Sequence, residues 1–361
     1  MIAFPIGLSD RGTGRATVWL AASRRTSQNR DMEIRVLSAA DVRAAIDPMR
    51  AIEAMRSGFG QLSSGEATVP VRGQLPSSDG TTLLMPAYLG KTDELGAKIV
   101  SVFPGNRERG TPVVQGVVLL LDAESGAPLA LMDGTELTAR RTAAGSALAT
   151  DLLSDPNASV LAVFGSGVQS RAHIWALSAV RSIREIRIVS ASRASAERLA
   201  GELAETGPGA SGDPSIRAVE DRRDALRGAD LIVTATTSTS PVFDGCDVDP
   251  GAHINGVGSY RPDMQEVDAT TVLRSRVVVD SREAAWQEAG DLIIPLREGL
   301  MDESHVDAEL GEIVNGARPQ GREGHELTFF KSVGNAAQDI AIASAALTAA
   351  RDRGLGQIVT L

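Results

Sequence analysis

The chain has 361 residues, 43% hydrophobic and 23% charged, the composition of a folded globular protein long enough for two domains with separate cores. A formal net charge of -10 argues against nucleic acids and membrane surfaces as partners, because both are polyanions that reward clustered Lys and Arg. Cys246 is the only cysteine, so no intrachain disulfide can form and a reducing, cytoplasmic setting is expected; no apolar run reaches the ~20 residues of a membrane helix.

Residues 1–31 are rich in Arg, Ser and Gly without sustained periodicity and lack the apolar stretch of a secretory signal, so they are expected to be a flexible extension. From Met32 the pattern is clear. A strand (Ile34 to Leu37) leads through Ser38, an N-cap candidate, into one helix with apolar positions Val42, Ile46, Met49, Ile52 and Phe59. Extended segments follow at Leu83 to Leu89, Ala97 to Phe103, Val113 to Leu121 and Leu129 to Met132. The turn-rich Asp122 to Gly126 predicts an antiparallel hairpin between the last two. An alanine-rich helix is expected from about Thr138 to Leu153.

After Asp155-Pro156-Asn157 the texture changes to short apolar runs (Val160 to Phe164, Ile186 to Val189, Ile216 to Val219, Leu231 to Ala235, His253 to Val257, Val277 to Asp280). Helical patterns at 168–180, 194–205, 221–228 and 282–289 separate several of them. Fully apolar strands alternating with helices predict a doubly wound parallel sheet. The last helix, Asn335 to Arg351, has the alanine-rich texture of the first domain. The expected organisation is therefore α/β: a dinucleotide-type domain over 155–330, inserted into a second α/β domain with a mixed sheet over 32–154 plus 331–361.

The run Val160 to Phe164 passes directly into Gly165-Ser166-Gly167-Val168-Gln169-Ser170 and a helix. Strand, glycine turn and helix N-terminus in this order fit a pyrophosphate, with Ser170 small enough for close helix–strand packing. At the end of the second strand an acidic residue would bind a ribose 2′-hydroxyl. Ser192 and Arg193 stand there instead, which favours NADP(H), with NAD(H) the alternative.

Lys91, Lys98 and Lys331 are the only lysines. Lys98 interrupts an apolar strand: buried, its ammonium needs a partner, whereas on an exposed face it is an ordinary edge-strand charge, the reading this segment alone favours. Arg140 and Arg141 fall in the expected first turn of a helix, where cations oppose the macrodipole, so an anion is expected near them and near Arg72. His173, His253, His305 and His325 show no ligand spacing, and no metal is expected.

In order along the chain, Met85-Pro86-Ala87-Tyr88, Gly96-Ala97-Lys98-Ile99-Val100, Pro104-Gly105-Asn106 and Leu137 to Ala144 resemble the ornithine cyclodeaminase and mu-crystallin family. So do Gly165 to Gln169, His253 to Gly258 and Lys331 to Asp339. The resemblance implies an inserted Rossmann domain, a homodimer made through the first domain, and a substrate carboxylate held by Arg72, Lys98 and Arg141. It also implies cofactor contacts at Thr142, Val257, Lys331, Ser332, Val333 and Gly334, the last four beside the nicotinamide. Tyr260 stands where the ring-forming deaminases carry an aspartate, and Asp263 comes three residues later. The expected function is NADPH-dependent reduction of a cyclic imino acid such as pyrroline-2-carboxylate or piperideine-2-carboxylate, or a related amino-acid dehydrogenation, with Lys98 or a water as proton donor. The alternatives are an ammonia-releasing cyclodeaminase that recycles NAD and a mu-crystallin-like binder of NADPH and a small ligand.

Overall fold

A computed structural model describes residues 32–207 and 213–361; the expected flexible extension, 1–31, lies outside them. Strand β1 (Glu33–Leu37) ends at Ser38, whose hydroxyl accepts the Asp41 N–H while the Asp41 carboxylate accepts that of Ser38. This reciprocal cap starts α1 (Ala39–Ala45). The single helix expected through Phe59 is in fact two. Pro48 has no N–H to donate, and Asp47 caps a new helix, α2 (Pro48–Ser63), by accepting from Arg50 N at 2.9 Å.

The chain then lays down β2 (Ala67–Thr68), β3 (Gly73–Pro76), β4 (Thr81–Leu89), β5 (Glu94–Val102), β6 (Val114–Leu121) and β7 (Pro128–Asp133), followed by α3 (Gly134–Leu153). The expected hairpin joins β6 and β7, with Asp122 N bonded to Ala127 O at 2.8 Å. Next come β8 (Val160–Phe164), α4 (Val168–Val180), β9 (Glu185–Val189), α5 (Arg193–Thr206), β10 (Ser215–Ala218), α6 (Arg222–Leu226), β11 (Leu231–Thr234) and β12 (His253–Gly256). They are followed by α7 (Ala269–Arg274), β13 (Ser275–Val279), α8 (Arg282–Glu288), α9 (Gly290–Arg297), β14 (Val306–Glu309), α10 (Leu310–Val314) and β15 (Leu327–Lys331). Helix α11 (Ala336–Arg353) and β16 (Gln357–Thr360) close the chain.

Two sheets result. The first runs β16-β1-β7-β6-β5-β4-β2, with β3 also on β4, and is antiparallel except for the β1–β7 pair. Its inner face packs on α11 through Met85, Ala87, Val118 and Leu120, all buried. The second sheet, β10-β9-β8-β11-β12-β15-β13-β14, is parallel throughout. The segment that builds it lies between the two segments that build the first.

Helix α3 is buried on nearly every side and touches both halves. Toward the parallel sheet it presents hydroxyls with partners: Ser146 Oγ lies 2.9 Å from His173 Nε2, and Thr150 Oγ1 accepts from Asn255 Nδ2 at 3.0 Å. Burial holds His173 and His253 neutral, with pKa values brought down to about 4 and about 3. His253 is a packed histidine bonded to Thr328 and Asn255.

Candidate active site

Parallel pairing of β8, β11, β12 and β15 sends all four strands toward the same edge, so the loops after Phe164, Thr234, Gly256 and Lys331 gather there. Strand order reverses between β8 and β11, and the crevice at such a switch point is where open α/β sheets take their ligands.

The glycine loop is shaped for close approach. Gly165 has φ of 121°, and a Cβ there would meet Ala235 O at 2.5 Å, so only glycine fits. Ser166 Oγ is 3.0 Å from Ser190 Oγ. Gly167 is the N-cap of α4 and offers no side-chain cap, Val168 is exposed, and Gln169 Oε1 has no partner. The free N–H groups of this helix end suit the pyrophosphate of a dinucleotide, so the loop fits that group. Ser192 caps α5 by accepting from Ser195 N, and Arg193 is an exposed residue held by Glu197 (2.7 Å) and Glu220 (2.5 Å).

The loop after β15 is cupped by a carboxylate that sequence reading passed over. Asp280 Oδ2 accepts from Ser332 Oγ (2.8 Å), Val333 N (3.1 Å) and Gly334 N (2.6 Å). Burial still raises its pKa, against those hydrogen bonds and the nearby Arg141 and Lys331 cations. Gly334 has φ of 82°, and a side chain there would strike the Arg141 guanidinium. The ammonium of Lys331 has an aspartate partner. Its Nζ is 2.9 Å from Asp291 Oδ2 with both residues fully enclosed, so it braces the loop from behind. Val257 N bonds to Thr234 O at 3.0 Å, and Gly258 N donates to Glu266 Oε2 at 2.7 Å.

The three predicted basic residues converge. Lys98 lies on β5, between β4 and β6, and is 2% exposed, which rules out an edge-strand charge. Its Nζ is 2.5 Å from Asp339 Oδ2 in the first turn of α11. Arg141 reaches the other oxygen of Asp339 (3.2 Å) and Gln338 Oε1 (2.7 Å). Arg72 donates to Gly334 O at 2.9 Å and pairs with Glu288 at 3.1 Å. Burial pulls the Lys98 pKa down to about 8; Asp339 opposes this, while Arg141 and Arg72 add to it.

The macrodipole argument for Arg140 and Arg141 does not hold. Helix α3 begins at Gly134 with Asp133 as its N-cap, so both arginines are in the second turn. Arg140 belongs elsewhere: it bonds Glu136 and Ile46 O and lies over the Trp175 ring at 4.3 Å. Thr142 donates back to Thr138 O within α3. Tyr260 is 42% exposed, and Asp263 is a surface residue clasped by Arg261 at 2.9 Å. Asp339, Gln338, Asp280 and Glu288 are the site groups that sequence reading missed. Among the described residues no cluster of His, Cys, Asp or Glu is placed to hold a metal.

The family model of the ornithine cyclodeaminase/mu-crystallin family matches residues 32–353. A Delta(1)-pyrroline-2-carboxylate reductase of Bacillus cereus is 37% identical over 324 residues, 89% of this chain and 98% of its own length. The ketimine reductase mu-crystallin of Mus musculus is 38% identical over 294 residues, 81% of this chain and 88% of its own. Among solved structures, the Delta(1)-pyrroline-2-carboxylate reductase of Thermococcus litoralis, in complex with NADH and L-proline, superposes with a TM-score of 0.85 at 38% identity. That match covers 90% of this chain and 100% of the other. Matched over nearly its whole described length, this chain is a member of the ornithine cyclodeaminase/mu-crystallin family.

Proposed function

We propose that this chain is an oxidoreductase acting on the C=N bond of imino acids, and that it reduces a cyclic imine of the pyrroline-2-carboxylate or piperideine-2-carboxylate type. The observation that carries this reading is the convergence of Arg72, Lys98 and Arg141 around Gly334 and Asp339, beside the loops of the dinucleotide edge. Three cations there face Asp339 and Glu288. A ligand carboxylate would displace Glu288 from Arg72, whose side chain lines a cavity.

A bound nicotinamide dinucleotide supplies the hydride. Gly165, Ser166, Gly167, Val168 and Gln169 would hold its pyrophosphate, and Ser332, Val333 and Gly334 would flank its nicotinamide, with Thr142, Val257 and Lys331 in support. Arg72 would take the substrate carboxylate directly, with Lys98 and Arg141 behind it, and so turn the imine carbon toward the nicotinamide. Fixed orientation of this kind can supply several kcal/mol of a barrier. NADP(H) is favoured because no carboxylate ends β9 and Arg193, which holds two surface glutamates, can exchange them for a 2′-phosphate.

Reduction is favoured over ornithine cyclodeamination by the loop at Tyr260: Asp263 is tied to Arg261 at the surface, and Glu266 is buried with its oxygens taken by Thr236 and Gly258. A homodimer fits the outer face of the mixed sheet. There Leu84, Ile99 and Val117, paired in register across three strands, are 47%, 41% and 38% exposed. A cytoplasmic location fits the single exposed thiol of Cys246.

The test is direct. Purified protein is mixed with NADPH and pyrroline-2-carboxylate, with NADH and with ornithine as parallel arms. Loss of nicotinamide absorbance matched by proline is expected, faster with NADPH. Arg193→Ala is expected to narrow the preference for NADPH by roughly tenfold, the size of one lost charge-assisted contact. Ammonia from ornithine without net cofactor change would overturn the reading.

A further inference from the structure

The wall that carries Arg72 also carries a carboxyl group to which the reaction described above gives no task. Glu288 is the last residue of α8, and its Oε2 lies 3.1 Å from Arg72 Nη2. Both line a cavity of about 100 Å³ with Met85, Ser281, Ala284 and Asn335. The same arginine donates to Gly334 O. Helix α8, capped by Ser281, starts two residues after Asp280, which cups Ser332, Val333 and Gly334. Glu288, Arg72 and the loop assigned to the nicotinamide are therefore tied together through two routes.

Opposite charges on one wall suit a ligand that carries a carboxylate and a basic nitrogen next to each other. Of the other groups that could meet the nitrogen, Lys98 and Asp263 do not line the cavity, and Glu283, which does, is exposed to solvent. The Lys98 ammonium is enclosed against Asp339. Asp263, on the loop of Tyr260, is at the surface with Arg261. Glu288 Oε2 has Arg72 as its ion-pair partner and no hydrogen bond.

We propose that Glu288 meets the substrate's imine nitrogen and gives it its proton. The assignment rests on the reductase reading. The incoming carboxylate takes Arg72 and releases Glu288 from it, and Glu288, left without its cation, takes up a proton from water. The O–H bond of the Glu288 carboxyl breaks as an N–H bond forms, leaving an iminium ion against a carboxylate. Hydride from the reduced dihydronicotinamide then forms the new C–H bond, and the C=N π pair becomes the amine lone pair. Water gives a second proton to the amine. Burial raises the Glu288 pKa, with Arg72 opposing and Asp280 adding to it, which helps the carboxyl to hold a proton for transfer.

Two ligands of similar shape separate this role from a structural one: L-proline, whose nitrogen is cationic, and tetrahydrofuran-2-carboxylate, which has oxygen in its place. Binding is measured by calorimetry on the full chain with oxidised nicotinamide dinucleotide present. Glu288→Gln is expected to weaken L-proline about tenfold or more, leave the oxygen analogue within about twofold, and lower kcat for imine reduction roughly 10²-fold. Glu288→Asp, which keeps a carboxylate, is expected to restore part of the preference for proline and guards against misfolding as the cause. Equal weakening of both ligands would mean that Glu288 only positions Arg72 and would overturn the proposal, as would an unchanged kcat. If the unsubstituted protein reduces the imine and Glu288→Gln matches it, the Glu288 assignment alone falls. If the unsubstituted protein neither reduces the imine nor binds L-proline, the reductase reading falls with it.

Discussion

Lys98 and Lys331 are both buried, and each lies within 3 Å of an aspartate, Asp339 at 2.5 Å and Asp291 at 2.9 Å. Around Lys98 two further cations stand among carboxylates: Arg141 shares Asp339 and lies near Asp280, and Arg72 stands beyond with Glu288. Around Lys331 the surplus is negative, because Glu266 joins Asp291. Burial, with Asp291 adding to it, raises the Glu266 pKa, against the Lys331 cation, and its oxygens are occupied by Thr236 and Gly258. The Lys331 set is closed on itself and fastens loops together. The Lys98 set opens onto a cavity lined by Arg72. Burial and ion pairing look alike at the two lysines; the open cavity reached through Arg72 is what distinguishes a binding site from a brace.

The largest expected effect separates the two regions. Lys331→Met leaves Asp291 buried without its cation and should cost about 3–5 kcal/mol of stability, seen in urea or thermal unfolding. Lys98→Met leaves Asp339 paired with Arg141, so it should cost less stability while sharply lowering kcat/KM for the imine. Equal loss of stability at both positions would break the comparison.

Gly334→Ala comes next. At φ of 82° with the Arg141 guanidinium in the way, the methyl group should cost about 1–3 kcal/mol. It should also raise KM for the carboxylate substrate, because Arg141 must move. A raised KM for the dinucleotide alone would place Gly334 outside the carboxylate site.

The pH response sharpens the comparison with a smaller effect. The ammonium of Lys98 predominates below about 8 in the folded chain, so substrate KM should climb as pH passes that value. Stability should move the other way. Between about 8 and the ordinary 10.5 the folded protein has released a proton that the unfolded chain keeps, so this site's contribution to stability increases with pH. A KM independent of pH from 7 to 10 would show that the Lys98 charge plays no part in binding.

Much of this was legible in the sequence because the signals are local. The strand–glycine–helix run at 160–170, the hydroxyl cap at Ser38 and the hairpin at 122–126 each sit within a dozen residues. Strand β15 was harder to see: Leu-Thr-Phe-Phe-Lys is buried on both faces, so it shows no alternation, and its lysine looks like an end. The break at Pro48 was hidden by apolar spacing that continues across it. The partners of the basic residues were the least visible. Arg141 and Asp339 are 198 residues apart, and only the packing of α3 and α11 against one sheet brings them together. Glu288 falls within the helical pattern at 282–289 with nothing in the sequence to single it out, and its meaning comes from Arg72 opposite.

The most direct test of the account follows the hydride. Reduced dinucleotide carrying deuterium at both hydrogen positions of nicotinamide C4 is mixed with pyrroline-2-carboxylate and the protein, and the product is analysed by mass spectrometry and NMR. The account predicts L-proline with one deuterium at C2, formed in step with dinucleotide oxidation. Proline without deuterium, or ammonia from ornithine as the only product under parallel conditions, would contradict it.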